Sequence, residues 1–172
     1  MSTETLTAIV STWPSTPAYI IDSRHTVVIS NVMARAVVPF ALEPGMNIPE
    51  VVYTNPEVRA LPTWSTLADR TVRRLRFYGH PYDDRLMRLG ERLSAQDEHF
   101  RERWERHDVD SYYDGDVRPH IAGFGQVPLH HQTLVVPGTP GYLLCAYHAE
   151  PGSESERALT VLAADMSVQA AT

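Results

Sequence analysis

Lysine is absent from this chain: all fifteen basic residues are arginine, which points to a GC-rich genome and is not in itself a binding signal. With a net charge of −6 the chain also lacks the positive excess from which a general nucleic-acid binder draws affinity by neutralising phosphates. A single cysteine, Cys145, excludes an intrachain disulfide and makes a reducing, cytoplasmic setting the default expectation. No apolar run approaches the roughly 20 residues that span a bilayer. The N-terminal MSTETLTAIVSTW carries no positive segment ahead of an apolar one, so no signal peptide is read. A glycine-rich phosphate loop is missing as well, since Gly123-Phe124-Gly125 is too short to serve as one.

What is present is ordinary globular composition, 43% hydrophobic and 21% charged over 172 residues, enough for one domain with its own core. Ten of the arginines lie between Arg70 and Arg106, but seven acids share that stretch, which reads as an outer helical face laced with charge pairs. Its clearest segment is Ser94 to Val109. There Ser94 is expected to N-cap a helix with Asp97 reaching back, Phe100 and Trp104 leave one side four residues apart, and His107 and Asp108 finish the helix.

The rest of the chain falls into order around it. Residues 3 to 12 suit a short helix, and Ala18–Ile21 with Thr26–Ile29 read as a hairpin. Ser30 or Asn31 can cap a helix carrying Met33, Ala34, Val37 and Val38, and Asn55-Pro56 can open another. Trp64, Leu67, Ala68, Val72, Leu75 and Tyr78 repeat with a helical period, and Leu86, Leu89 and Leu93 carry a further helix. From Ser111 the period becomes two, with strands expected over Gln126–Val136 and Tyr142–Ala149. Ser153 and Glu156 then form a capping box for a last helix through Leu162. The order predicts an α+β fold with an antiparallel sheet covered on one face. It is a single domain over 1–172, with an N-terminal helix or arm at 1–15 and a C-terminal tail at 163–172.

Particular words stand in that order: TPAYIID at 16–22, VVISN at 27–31, MNIPEVVYTNPEVRALPTW at 46–64, RRLR at 73–76, FRERWERHDV at 100–109, and TLVVPGTPG through YHAEPGSESERALTVL over 133–162. Together they resemble the MmyB-like transcription-regulator ligand-binding domain, a PAS-like family. The resemblance implies a sheet with helices closing over it, binding a small apolar, fatty-acid-like or aromatic metabolite, with no cofactor. Relatives usually carry a helix-turn-helix module before this domain. Only about fifteen residues precede it here, against about 60 for such a module. The expectation is therefore a stand-alone binding protein without direct nucleic-acid or membrane binding, acting as a homodimer or by pairing with a separate regulator. The segment SYYDGDVRPHIAGFG at 111–125 departs from the family's usual basic stretch and His-Pro-x-Val-Gly.

In a PAS-like cup, Trp64, Phe77, Phe100, Trp104, Phe124, Tyr142 and Tyr147 are the ligand-binding candidates, each of them also an ordinary core residue taken singly. The richest polar cluster is Tyr112, Tyr113, Asp114, Asp116, His120, His130 and His131. It supports a second reading, an enzyme of secondary-metabolite biosynthesis (isomerase, cyclase or hydrolase) with Tyr113, Asp116, His120 and His130 as acid-base groups. His130 and His131, adjacent on a strand, must face opposite sides, so at most one looks into the cup. The spacing of His107, Asp108, Asp110 and His120 matches no metal site, and Cys145 reads as a buried, inert thiol.

Overall fold

The computed structural model describes residues 2–109, 114–139 and 141–170. Helix α1 (Thr3–Ser11) leads into strands β1 (Ala18–Ile21) and β2 (Val27–Ser30). Six helices follow: α2 (Val32–Val37), α3 (Ile48–Thr54), α4 (Pro56–Arg59), α5 (Trp64–Tyr78), α6 (Asp84–Gln96) and α7 (Glu98–Glu105). Strand β3 (Asp114–Val117), the ribbon β4 (His120–Ile121) and β5 (Gly125–Gln126), strands β6 (Leu129–Val135) and β7 (Leu143–His148), and helix α8 (Glu154–Ala170) complete the described chain. The main sheet is antiparallel in the order β2-β1-β7-β6-β3. This is the α+β, PAS-like arrangement expected from the sequence.

Alternation along the strands assigns their two faces. Tyr19 and Ile21 of β1, His131 and Thr133 of β6, and Cys145 and Tyr147 of β7 point inward, toward α2 and α8. Ala18 and Ile20 point outward and are covered by Leu6 and Val10 of α1, so part of the outer face is buried too. A separate helical core holds Val52, Tyr53, Val58, Ala68, Val72, Leu75, Leu86, Leu89, Leu93, Phe100 and Trp104.

Asparagines tie the layers together. Asn31 Oδ1 accepts from the N–H groups of Ala34 and Ala18, and its Nδ2 donates to Trp13 and Thr16 carbonyls, so one side chain caps α2 and pins β1 to its approach. Asn47 Oδ1 caps α3 through the Glu50 N–H while Nδ2 donates to the Arg24 carbonyl and Thr26 Oγ1, holding α3 against the β1–β2 turn.

The strand expected over Gln126–Val136 begins only at Leu129, Gln126 pairing instead with His120 in the ribbon, and two helix boundaries also differ from expectation. Ser94 lies inside α6. Asp97, extended at φ −138° and ψ 122°, ends α6 and caps α7 by accepting from the Phe100 N–H, so the segment is two helices joined at one residue. Gly90 lets them pack, since a Cβ there would lie 2.5 Å from the Trp104 ring. At the other end α8 continues through Ala170, well beyond Leu162. Its start is as expected: Ser153 Oγ accepts from the Glu156 N–H, and the Glu156 carboxylate accepts from the Gly152 N–H. No described helix is long and apolar enough to cross a membrane.

Candidate ligand-binding site

Between the inner face of the sheet and the helical core lies a cavity of about 210 Å³. Its walls are small aliphatic side chains from three places. Ile21 comes from the sheet, Val38, Ala41 and Leu42 come from the chain after α2, and Val52, Val58 and Leu67 come from α3 to α5. Phe40 and Leu61, 47% and 45% exposed, also line it and mark the side on which it meets solvent.

The rest of the lining is polar and mostly buried. Helix α5 turns Leu67, Thr71 and Arg74 toward the cavity at offsets 0, 4 and 7, a second stripe beside the one that packs on the helical core. The Arg74 guanidinium donates to Thr133 Oγ1 at 2.8 Å and reaches His131 Nδ1 at 3.4 Å and Cys145 Sγ at 3.8 Å. Its Nε is buried with no hydrogen-bond partner. Arg70 lies along the same wall, donating to the Asp116 carbonyl at 3.1 Å, and the missing side chain of Gly115 makes room for it.

A guanidinium only donates. His131 Nδ1 therefore accepts from Arg74, which leaves the ring proton on Nε2 to donate to Tyr19 Oη at 3.1 Å. Tyr19 Oη in turn lies 3.4 Å from Tyr147 Oη. Burial, then the nearby Arg74 and Arg70 charges, hold the His131 pKa well below its usual value, so the ring is neutral. Burial likewise raises Tyr19 well above the ordinary phenol value and pushes Tyr147 up to about 12. His25, also on the wall, adopts a left-handed φ of 59°, and its Nε2 is buried without a partner. Burial, reinforced by Arg74, lowers its pKa to about 3.

The model of the MmyB-like transcription regulator ligand binding domain matches residues 3–162, nearly the whole chain. The protein belongs to that family. Among curated proteins nothing matches it.

Of the seven aromatics expected to line the ligand site of this MmyB-like domain, Tyr147 is in the wall of this cavity, buried among its polar groups. The other six are elsewhere. Trp64 packs on the helical core, its indole N–H donating to the Val52 carbonyl and its ring under Arg59. Phe100 and Trp104 stack on each other inside that core, and Arg76 lies over the Trp104 ring. Phe77 is exposed beside Tyr78. Phe124 packs at the edge of the sheet-side core, and Tyr142 lies on the outer side with the α1 cluster.

The polar candidates divide similarly. Asp116 and His130 are paired across β3 and β6 and bonded at 2.9 Å, but both side chains are exposed on the outer face, where His130 stacks on His148. His120 sits on the exposed rim of the separate ribbon. Tyr112, Tyr113 and the Asp114 side chain lie outside the described residues. His131 faces inward while His130 faces out, as their adjacency requires. Among the described residues no group of three or more metal-ligating side chains comes together.

Arginine 74 is the residue that sequence reasoning missed. It stands among arginines that the sequence reads as a solvated face laced with charge pairs, and for much of the stretch the structure agrees: Arg103 pairs with Asp69 and Arg101 with Glu98. Arg92 likewise pairs with Glu50. The available signal was its place four residues from Arg70 and seven from Leu67 on a helix whose other stripe was already assigned to the core.

Proposed function

We propose that this MmyB-like domain is the small-molecule sensor of a transcription regulator, and that its ligand is a largely apolar, fatty-acid-like or aromatic metabolite held between α5 and the inner face of the sheet. The cavity carries this reading: apolar walls that converge on a few fixed polar groups are what small-molecule sites have in common. Binding fits better than catalysis there. The neutral His131 has both ring nitrogens engaged, His25 at about pKa 3 is a poor base at neutral pH, and no carboxylate lines the described cavity. The Asp116–His130 pair faces solvent on the other side of the sheet.

A saturating straight-chain amphiphile, supplied as octanoate or octan-1-ol, is expected to stabilise the domain. At one hundred times the dissociation constant the gain is about 2.7 kcal/mol, equivalent to roughly 5–10 °C in Tm for a chain of this size. Ala41→Phe, which places a ring inside the cavity, abolishes the shift. Absence of a shift with either probe, or an equal shift in the Ala41→Phe protein, contradicts the proposal.

A further inference from the structure

We infer that a second recess, separate from the apolar cavity, binds a chain of linked phosphate groups between Arg24 and the α6 arginines Arg85, Arg88 and Arg92. It is a different site from the one proposed above. The β1–β2 turn and the first turn of α3 are divided between the two: His25 and Ile48 face the cavity, whereas Arg24, Thr26, Asn47 and Glu50 line the recess.

The recess measures about 330 Å³ and carries four guanidinium groups against one carboxylate, on a chain whose net charge is −6. Three of the four form one stripe of α6, Arg85, Arg88 and Arg92 at offsets 0, 3 and 7, and the acids of the same helix, Asp84 and Glu91, do not line it. Arg24 supplies the fourth from the β1–β2 turn, where it is held in place. The Asp22 carboxylate accepts from the Arg24 and Thr26 N–H groups and from the Arg24 guanidinium at 2.7 Å, and the Arg24 carbonyl accepts from Asn47 Nδ2. The one carboxylate, Glu50, is taken by Arg92. Arg85 and Arg88 pair with no carboxylate among the described residues. Thr26 Oγ1 accepts from Asn47 and so keeps its own proton to donate. Gly45, at φ 93°, leaves its part of the wall bare, with no heavy atom within 4 Å of where a side chain would begin.

A concave surface of one sign concentrates counter-charge, and guanidinium groups take phosphate oxygens two at a time. The α6 stripe runs about 10 Å along the helix axis, a spread that suits several linked phosphates better than one. Among the described residues no aromatic side chain lines the recess, and Leu89 is its one large apolar residue, so nothing there stacks on a base. Duplex DNA fits less well, because the chain's acidic balance opposes a long polyanion while a recess admits a short one.

The test is calorimetric titration of the full chain with orthophosphate, tripolyphosphate and adenosine triphosphate, at neutral pH in about 0.1 M salt without magnesium. Tripolyphosphate is expected to bind about tenfold more tightly than orthophosphate, and the double variant Arg85→Gln with Arg88→Gln to weaken it about tenfold, as two partly screened ion pairs supply. Both side chains are exposed, so the variant keeps its thermal midpoint. Arg101→Gln, which removes an exposed arginine of α7, leaves the affinity unchanged. Equal affinity for adenosine triphosphate assigns the site to the phosphate chain alone and tighter binding assigns it to a nucleotide; either supports the inference if the double variant loses it. Tripolyphosphate binding no tighter than orthophosphate, undiminished in the double variant, or weakened as much by Arg101→Gln overturns the inference. So does a short DNA duplex that binds more tightly than tripolyphosphate through the same two arginines.

Discussion

Phe100→Ala is expected to destabilise the protein by about 3–5 kcal/mol, the range for removing a fully enclosed aromatic ring. Phe100 is 0% exposed. Its ring meets Tyr53 edge-on with centroids 5.0 Å apart and stacks on Trp104 at 5.6 Å. Those three rings come from α3 and α7 and sit in the cluster that also holds the buried faces of α5 and α6. Truncation therefore opens a void at a junction of four helices, none of which can close over it without losing its other contacts. Small domains have roughly 5–15 kcal/mol in total, so the variant should show a urea midpoint near half that of the parent. A loss below about 1 kcal/mol would mean that the cluster collapses onto the vacancy, contrary to its close packing.

The second large effect is a loss of stability in mild acid. His25 and His131 are neutral in the folded chain because burial, with Arg74 adding to it, makes their charged forms unfavourable. In the unfolded chain both recover pKa values near 6.5. Below that pH the unfolded state takes up protons the folded state refuses. The stabilisation is thus complete above about pH 6.5 and drains away as pH falls toward the folded values, about 3 for His25. Each residue contributes a slope of up to about 1.4 kcal/mol per pH unit, roughly 2.7 for the pair. Urea midpoints across the weakly acidic range measure the slope directly. His25→Asn, chosen because asparagine tolerates a left-handed backbone, and His131→Gln are each expected to remove about half of it. A midpoint that stays constant through that range would rule out neutral burial of both rings.

Much of the architecture was legible because local chemistry and tertiary placement agree. Asn31 and the Ser153–Glu156 box announce helix starts in a few residues, and both do what their side chains suggest. The Ser94–Val109 segment was harder to read. The apolar spacing of Leu86, Leu89 and Leu93 runs on through Phe100 and Trp104, so only the extended backbone of Asp97 reveals that one helix ends and another begins. The site was the least legible part. Large aromatics were the natural wall candidates, yet rings as large as Phe100 and Trp104 fill their own space and leave no hollow. Part of the wall, Ala41 and Leu42, is aliphatic and comes from the irregular stretch after α2, where no periodicity marks an inward face. Arg74 escaped notice because an arginine on an amphipathic helix looks like a surface residue until the opposing strand supplies Thr133 and His131.

The position of Cys145 beneath Arg74 and beside Thr133, with no exposed surface, makes the chain's one thiol a clock. Alkylating reagents can meet that sulfur only after the layer packed on the inner face of the sheet, α2 and α8 with Arg74 of α5, lifts away. The rate of irreversible labelling under native conditions therefore counts how often the two layers separate, and any compound seated between them slows the count without touching the sulfur.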